Sequence, residues 1–282
     1  MLNNIAIRGK HERPIVVDLV FHKTGAQKPL VIFVHGYKGF KDWGIFGKMN
    51  PFFLETGFAL LKFNFSHNGG TIEQPIDFPD LEAFGQNNYS LELEDLQTVI
   101  DWISHESTHH KEIDINNISL IGHSRGGGIV TLTATSDTRI KQLVSWAGVC
   151  TLDRTLFHDG PELEIWKKSG VLHVMNGRTE QQMPHYIQFY EDYLQNKDRF
   201  DLQKAVDNIS IPHLIIHGDG DTSVPFSHAE NLHSWNPKSE LINIKGANHV
   251  FGGKHPWKEA ILPRDFMEVI EKTTLFLQRD SP

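Results

Sequence analysis

Short apolar runs alternate along this chain with longer stretches whose apolar positions recur every three or four residues. Leu30–Val34 and Phe58–Phe65 are runs of the kind a strand shows when both its faces are covered. Ile118–Ile121, Ile140–Ala147, Leu214–His217 and Glu240–Ile244 extend the series. Ile5–Ile7 and Ile15–Phe21 predict two more strands, joined as a hairpin through Gly9–Pro14. Between the runs, Ser90–Glu106 carries Leu93, Leu96, Val99, Ile100 and Ile103 at helical spacing. Pro263–Leu277 predicts a closing helix, with Phe266, Val269, Ile270, Thr273 and Leu277 on one side. Residues 71–88, with Pro75, Pro79 and Gly85, read as irregular. Strands alternating with helices predict an α/β protein whose mostly parallel, twisted sheet has helices on both faces. Residues 151–208, rich in Trp, Tyr, His and charge, interrupt the rhythm and predict a largely helical cap insertion. The expected division is thus a core in two parts, 1–150 and 209–282, with the cap between them.

One junction of strand and helix carries chemistry. Gly122-His123-Ser124-Arg125-Gly126 follows the apolar Ile118–Ile121 and precedes the small-residue segment Gly127–Ala134. The pattern G-x-S-x-G in a strand–turn–helix setting is a nucleophile elbow. Its turn is tight, so small residues must flank the serine, and the helix N-terminus behind it favours developing negative charge.

A serine hydroxyl is a weak nucleophile at neutral pH and needs a histidine base, which a carboxylate must orient. In such sheets the partners follow later strands in the order Ser, Asp, His. Asp221, in the polar turn after Leu214–His217, is the expected acid, with Asp219 the near competitor and Asp153 a lower-ranked one. His249, just past Leu241–Ile244, is the expected base, ahead of His228, His233 and His255. An oxyanion needs two backbone N–H groups. Arg125, directly after the nucleophile, should supply one, and Tyr37 of His35-Gly36-Tyr37-Lys38-Gly39 the other.

Taken together, His35-Gly36-Tyr37, Gly122–Gly126, His217-Gly218-Asp219-Gly220-Asp221 through Val224-Pro225, and Gly246-Ala247-Asn248-His249 resemble the α/β-hydrolase superfamily over about residues 28–280. Within it the chain looks like the carboxylesterase branch of cinnamoyl and feruloyl esterases and dienelactone-hydrolase-like proteins. The dienelactone hydrolases use a cysteine nucleophile where this chain has Ser124. The resemblance implies acyl transfer from a small-molecule ester to water, with no cofactor. A peptidase or acyl-aminoacyl hydrolase, a thioesterase, and a non-catalytic ligand-binding relative are the alternatives on the same fold.

Composition narrows the partners. A net charge of −8 over 282 residues demands no basic face for nucleic acid. The apolar runs are too short to span a bilayer, and Met1–Lys10 lacks the apolar centre of a secretion signal, so a cytoplasmic location is expected. Cys150 is the single cysteine, which excludes an intramolecular disulfide, and it reads as a buried structural residue. His105-Glu106-Ser107-Thr108-His109 matches the zinc-protease pattern H-E-x-x-H, but it ends an amphipathic helix at the sheet edge opposite Ser124, so no metal is expected. Phe40, Trp43 and Phe46 are candidate pocket walls. Trp166, His173, Met175, Met183, Tyr186, Phe189, Tyr190 and Tyr193 are candidates for a substrate entrance. The Arg125 side chain is expected in a surface or cap salt bridge.

Overall fold

A computed structural model describes residues 2–154 and 157–279. Eight strands form one sheet in the order β1-β2-β4-β3-β5-β6-β9-β10. These are β1 (Leu2–Arg8), β2 (Pro14–Val20), β3 (Lys28–Val34), β4 (Ala59–Asn64), β5 (Ile113–His123), β6 (Ile140–Trp146), β9 (His213–Gly218) and β10 (Glu240–Ile244). β1 and β2 are the predicted hairpin, β2 runs antiparallel to β4, and the remaining pairs are parallel. This is the α/β-hydrolase fold.

The alternation within β3 shows how the sheet is covered. Leu30, Ile32 and Val34 enter one core with Leu96, Val99, Ile100 and Ile103 of α3 (Tyr89–His105) and Ile129 and Val130 of α4 (Arg125–Ala134). Val31 and Phe33 point the other way, into a second core with Phe46, Trp146 and Phe266, Val269 and Ile270 of α9 (Arg264–Arg279). Adjacent residues of a strand face opposite sides, so a continuous apolar run is what two covered faces require.

Two differences from the sequence reading concern the upper edge. Residues 71–88 are not wholly irregular: α2 (Leu81–Gln86) forms where the Asp80 side chain accepts the Ala83 N–H at 2.8 Å. That N-cap outweighs Gly85 inside so short a helix. The segment after β6 holds α5 (Pro161–Ser169), α6 (Gln188–Gln195) and α7 (Leu202–Asp207), and also an antiparallel hairpin, β7 (Val171–Asn176) with β8 (Gln181–Tyr186). β8 lies against α2. α1 (Asn50–Glu55) and α8 (Ser227–Trp235) complete the α-helices among the described residues. Residues 155–156 of the expected cap and 280–282 of the C-terminal part lie outside the described residues. No helix among the described residues is long and apolar enough to cross a membrane.

Candidate active site

The site begins at the turn from β5 into α4. Ser124 sits there at φ 58° and ψ −123°, a conformation that costs a non-glycine residue about 1–3 kcal/mol. Flanking glycines make the turn possible. A Cβ on Gly122 would stand 2.3 Å from the Gly126 carbonyl oxygen, and one on Gly126 would stand 2.4 Å from that of Val34. The Ser124 N–H is held by the Trp146 carbonyl at 2.9 Å, which fixes the turn to the end of β6.

Two later strand ends meet the serine. Asp221 follows β9 and His249 follows β10, and the two loops dock closely because Gly218 has no side chain. A Cβ there would lie 2.1 Å from the Ala247 carbonyl oxygen. Ser124 Oγ stands 2.9 Å from His249 Nε2, and His249 Nδ1 stands 2.7 Å from Asp221 Oδ2. With Nδ1 donating to the carboxylate, Nε2 is left to accept the serine proton. Asp221 Oδ1 accepts the N–H groups of Ser223 at 2.8 Å and Val224 at 2.9 Å. Burial pushes the Asp221 carboxyl up. The hydrogen bonds from His217, His249 and the Val224 N–H outweigh it and hold the group well below the usual carboxylate range.

Three histidines outside this chain of bonds support it, and the sequence reading gave none of them that part. His217 Nε2 lies 2.9 Å from the Val224 carbonyl and 3.3 Å from Asp221 Oδ2, so one buried N–H ties the Asp221 turn to β9. His123 Nε2 donates to the His249 carbonyl at 2.9 Å. Burial, then repulsion from His249, lowers His123 to about 3, so it stays neutral. His35 is held near 4, chiefly by burial, and its Nδ1 donates to the Gly36 carbonyl at 2.9 Å. That carbonyl also takes the Gly39 N–H at 3.1 Å. In a trans peptide C=O and N–H point in opposite directions, so holding the Gly36 carbonyl back turns the Tyr37 N–H outward. Neither the Tyr37 nor the Arg125 N–H has an intramolecular acceptor among the described residues. Gly36 lies against the serine, since a Cβ on it would be 2.8 Å from Ser124 Cβ.

The competing residues are engaged elsewhere. Asp219 accepts the Gly246 N–H and the Asn243 amide, and Asp153 faces His158 at 3.1 Å. His228 accepts the Cys150 N–H, His233 meets the Ser239 hydroxyl, and His255 accepts the Gly44 N–H. Cys150 is buried beside Asn231, and burial raises its thiol. The H-E-x-x-H stretch crosses the end of α3 into a 3₁₀ turn over residues 107–109, so His105 and His109 do not share a helical face. The Ser107 side chain lies outside the described residues. No group of three or more His, Cys, Asp or Glu among the described residues could hold a metal ion.

Ser124 and His249 open onto a cavity of about 250 Å³. Trp43 and Phe46 wall it, whereas Phe40 is buried against Phe78. The eight aromatic, histidine and methionine candidates of the insertion do not line it, and Trp166, Met183, Phe189 and Tyr193 are core. The insertion contributes Asn176 and Arg178 from the β7–β8 turn instead. Arg125 is buried rather than at the surface. It pairs with Glu92 of α3 at 3.0 Å and stands over the Tyr37 ring at 4.6 Å. A larger cavity of about 400 Å³, between α3, α4 and α7, contains none of these residues.

The comparisons with known proteins agree with this architecture. The sequence model of the BD-FAE family matches residues 17–236. Est1E from Butyrivibrio proteoclasticus, solved with ferulic acid bound, is similar at a TM-score of 0.73 and 18% identity, over 97% of this chain and 98% of that one. A dienelactone hydrolase from Anabaena variabilis gives 0.64 at 16% identity, over 98% and 95% of the two chains. An uncharacterised 31.7 kDa protein of the traX–finO intergenic region of Escherichia coli is 31% identical over 120 residues, 42% of this chain. The match spans 36% of that relative's length.

Proposed function

Because the chain belongs to the BD-FAE family of α/β-hydrolases, we propose that it is a serine carboxylesterase acting on small to medium acyl or aryl esters. Ser124 Oγ attacks the ester carbonyl while His249 Nε2 takes its proton. The oxyanion rests on the N–H groups of Tyr37 and Arg125. The imidazolium, steadied by Asp221, then protonates the departing alkoxide. A water, activated by the same His249, hydrolyses the acyl-enzyme and restores Ser124. The observation that carries this reading is the unbroken run of hydrogen bonds from Ser124 through His249 to Asp221, opening onto one cavity. The size and aromatic walls of that cavity favour compact substrates, and the ferulic acid bound by the Butyrivibrio relative favours aryl acyl groups.

Hydrolysis of 4-nitrophenyl acetate and butyrate tests the proposal, with Ser124→Ala as the control. Turnover in the wild type that disappears in the variant supports it. Equal turnover in both overturns it. An acyl-coenzyme A thioester and a peptide anilide, assayed alongside, separate the esterase from its thioesterase and peptidase alternatives.

A further inference from the structure

The cavity beside Ser124 is cationic although the whole chain carries a net charge of −8. Lys38 and Arg178 line it, and no aspartate or glutamate does. Arg178 is paired with Asp77, so its charge is largely balanced. Lys38 has no carboxylate partner among the described residues. Its ammonium stands over the Tyr37 ring at 5.2 Å and reaches the Met175 carbonyl at 3.3 Å, longer than the 2.7–2.9 Å common for charge-assisted bonds. A second unbalanced cation stands over Tyr37, which also lines the cavity. Arg154 lies over the Tyr37 ring at 5.4 Å and the Phe189 ring at 5.8 Å, with no carboxylate bound to it among the described residues. Its neighbour Asp153 faces His158 instead. Arg125, on the same tyrosine ring, is already matched by Glu92.

Holding an ammonium and a guanidinium near one another with no carboxylate between them is costly, and burial, then repulsion from Arg154, lowers Lys38. An anionic ligand would relieve that cost. We propose that the site selects esters bearing a carboxylate several bonds from the scissile carbonyl, with Lys38 as its ion-pair partner and Arg154 strengthening the field. The lining carries one unbalanced charge, which suits a monoanion. Apolar walls at Trp43 and Phe46 receive the rest of the molecule. This proposal rests on the esterase reading and adds a substrate class to it.

The test uses two matched pairs. Mono-4-nitrophenyl adipate against its methyl ester places the charge on the acyl side. 4-Acetoxybenzoate against methyl 4-acetoxybenzoate places it on the alcohol side. The readout is the charged-to-neutral ratio of kcat/KM in the wild type divided by that ratio in Lys38→Met, which cancels intrinsic reactivity. A value of about tenfold or more in either pair, also reduced in Arg154→Met, is expected. A salt titration of the wild type from about 20 mM to 0.5 M provides a second readout, in which the charged member loses its advantage as screening rises. Double ratios near one in both pairs, with no salt dependence, overturn the charge selectivity and leave the esterase standing. No turnover of any of the four esters overturns the esterase reading, and this proposal falls with it.

Discussion

The ring of His123, inside the nucleophile turn, donates a hydrogen bond to the backbone carbonyl of His249 at 2.9 Å. The residue before the proposed nucleophile therefore anchors the loop that carries the proposed base. Contact between the two imidazoles, 4.9 Å apart at their centroids, adds to the anchor. His123→Ala should free the loop and lower kcat about 10²-fold with little change in KM, as expected for a base displaced by about an ångström. His123→Gln, which can still donate to that carbonyl, should recover most of the loss. Steady-state kinetics on 4-nitrophenyl butyrate checks both, and equal kcat in the alanine and glutamine variants would contradict the anchoring role.

The two aspartates after β9 should behave differently. Asp221→Asn cannot hold His249 in the tautomer that accepts the serine proton, and kcat should fall about 10⁴-fold. Asp219→Asn removes a carboxylate that only caps the Gly246 loop from solvent, so kcat should stay within about threefold of wild type. A reversed order in the kinetics would reassign the acid.

A methyl group at Gly36 tests the oxyanion loop, which lies against Ser124. Its Cβ would meet Ser124 Cβ at 2.8 Å and the His123 carbonyl at 2.9 Å, so the loop must retreat and carry the Tyr37 N–H with it. Losing one such donor costs about 10²–10³-fold in kcat. Gly36→Ala should show that loss while its circular dichroism and melting profile stay close to wild type.

Asp95 gives a stability prediction. Burial raises its carboxyl from the ordinary 3.8 to about 6, against the pull of hydrogen bonds from the Ser66 hydroxyl and N–H, each at 2.7 Å. The folded chain thus holds this proton more tightly than the unfolded chain. Between about pH 4 and 6 the folded state binds more protons, so this group's contribution to stability falls as pH rises through that window. The full penalty above pH 6 is about 3 kcal/mol. Asp95→Asn should remove that slope. Urea midpoints of variant and wild type should differ more at pH 7.5 than at pH 4, in the variant's favour. A difference independent of pH would contradict the assignment.

The legible parts of the site were those set by local spacing. Gly122–Gly126 states its own turn, and Asp221 and His249 each sit just past an apolar run, so strand ends could be read directly. The supporting groups act across the chain. His217 is an ordinary strand residue by pattern, and His123 is the variable position of its motif. Their partners appear only when β5, β9 and β10 are aligned at one edge. The β7–β8 hairpin was hidden for a related reason: Val171–Asn176 and Gln181–Tyr186 mix polar and apolar residues and are stabilised by each other and by α2. Hence Asn176 and Arg178, which reach the cavity, went unread, while the more conspicuous aromatics of that segment serve as its core.

Reaction with a fluorophosphonate, followed by peptide mass mapping, tests the central claim most directly. The reagent phosphonylates a serine activated by a neighbouring base and spares ordinary hydroxyls. One adduct per chain is expected, on the peptide holding Ser124, and it should be nearly absent in His249→Ala. A folded wild-type protein that stays unlabelled at Ser124, or labels equally without His249, would contradict the assignment of Ser124 as the nucleophile and His249 as its base.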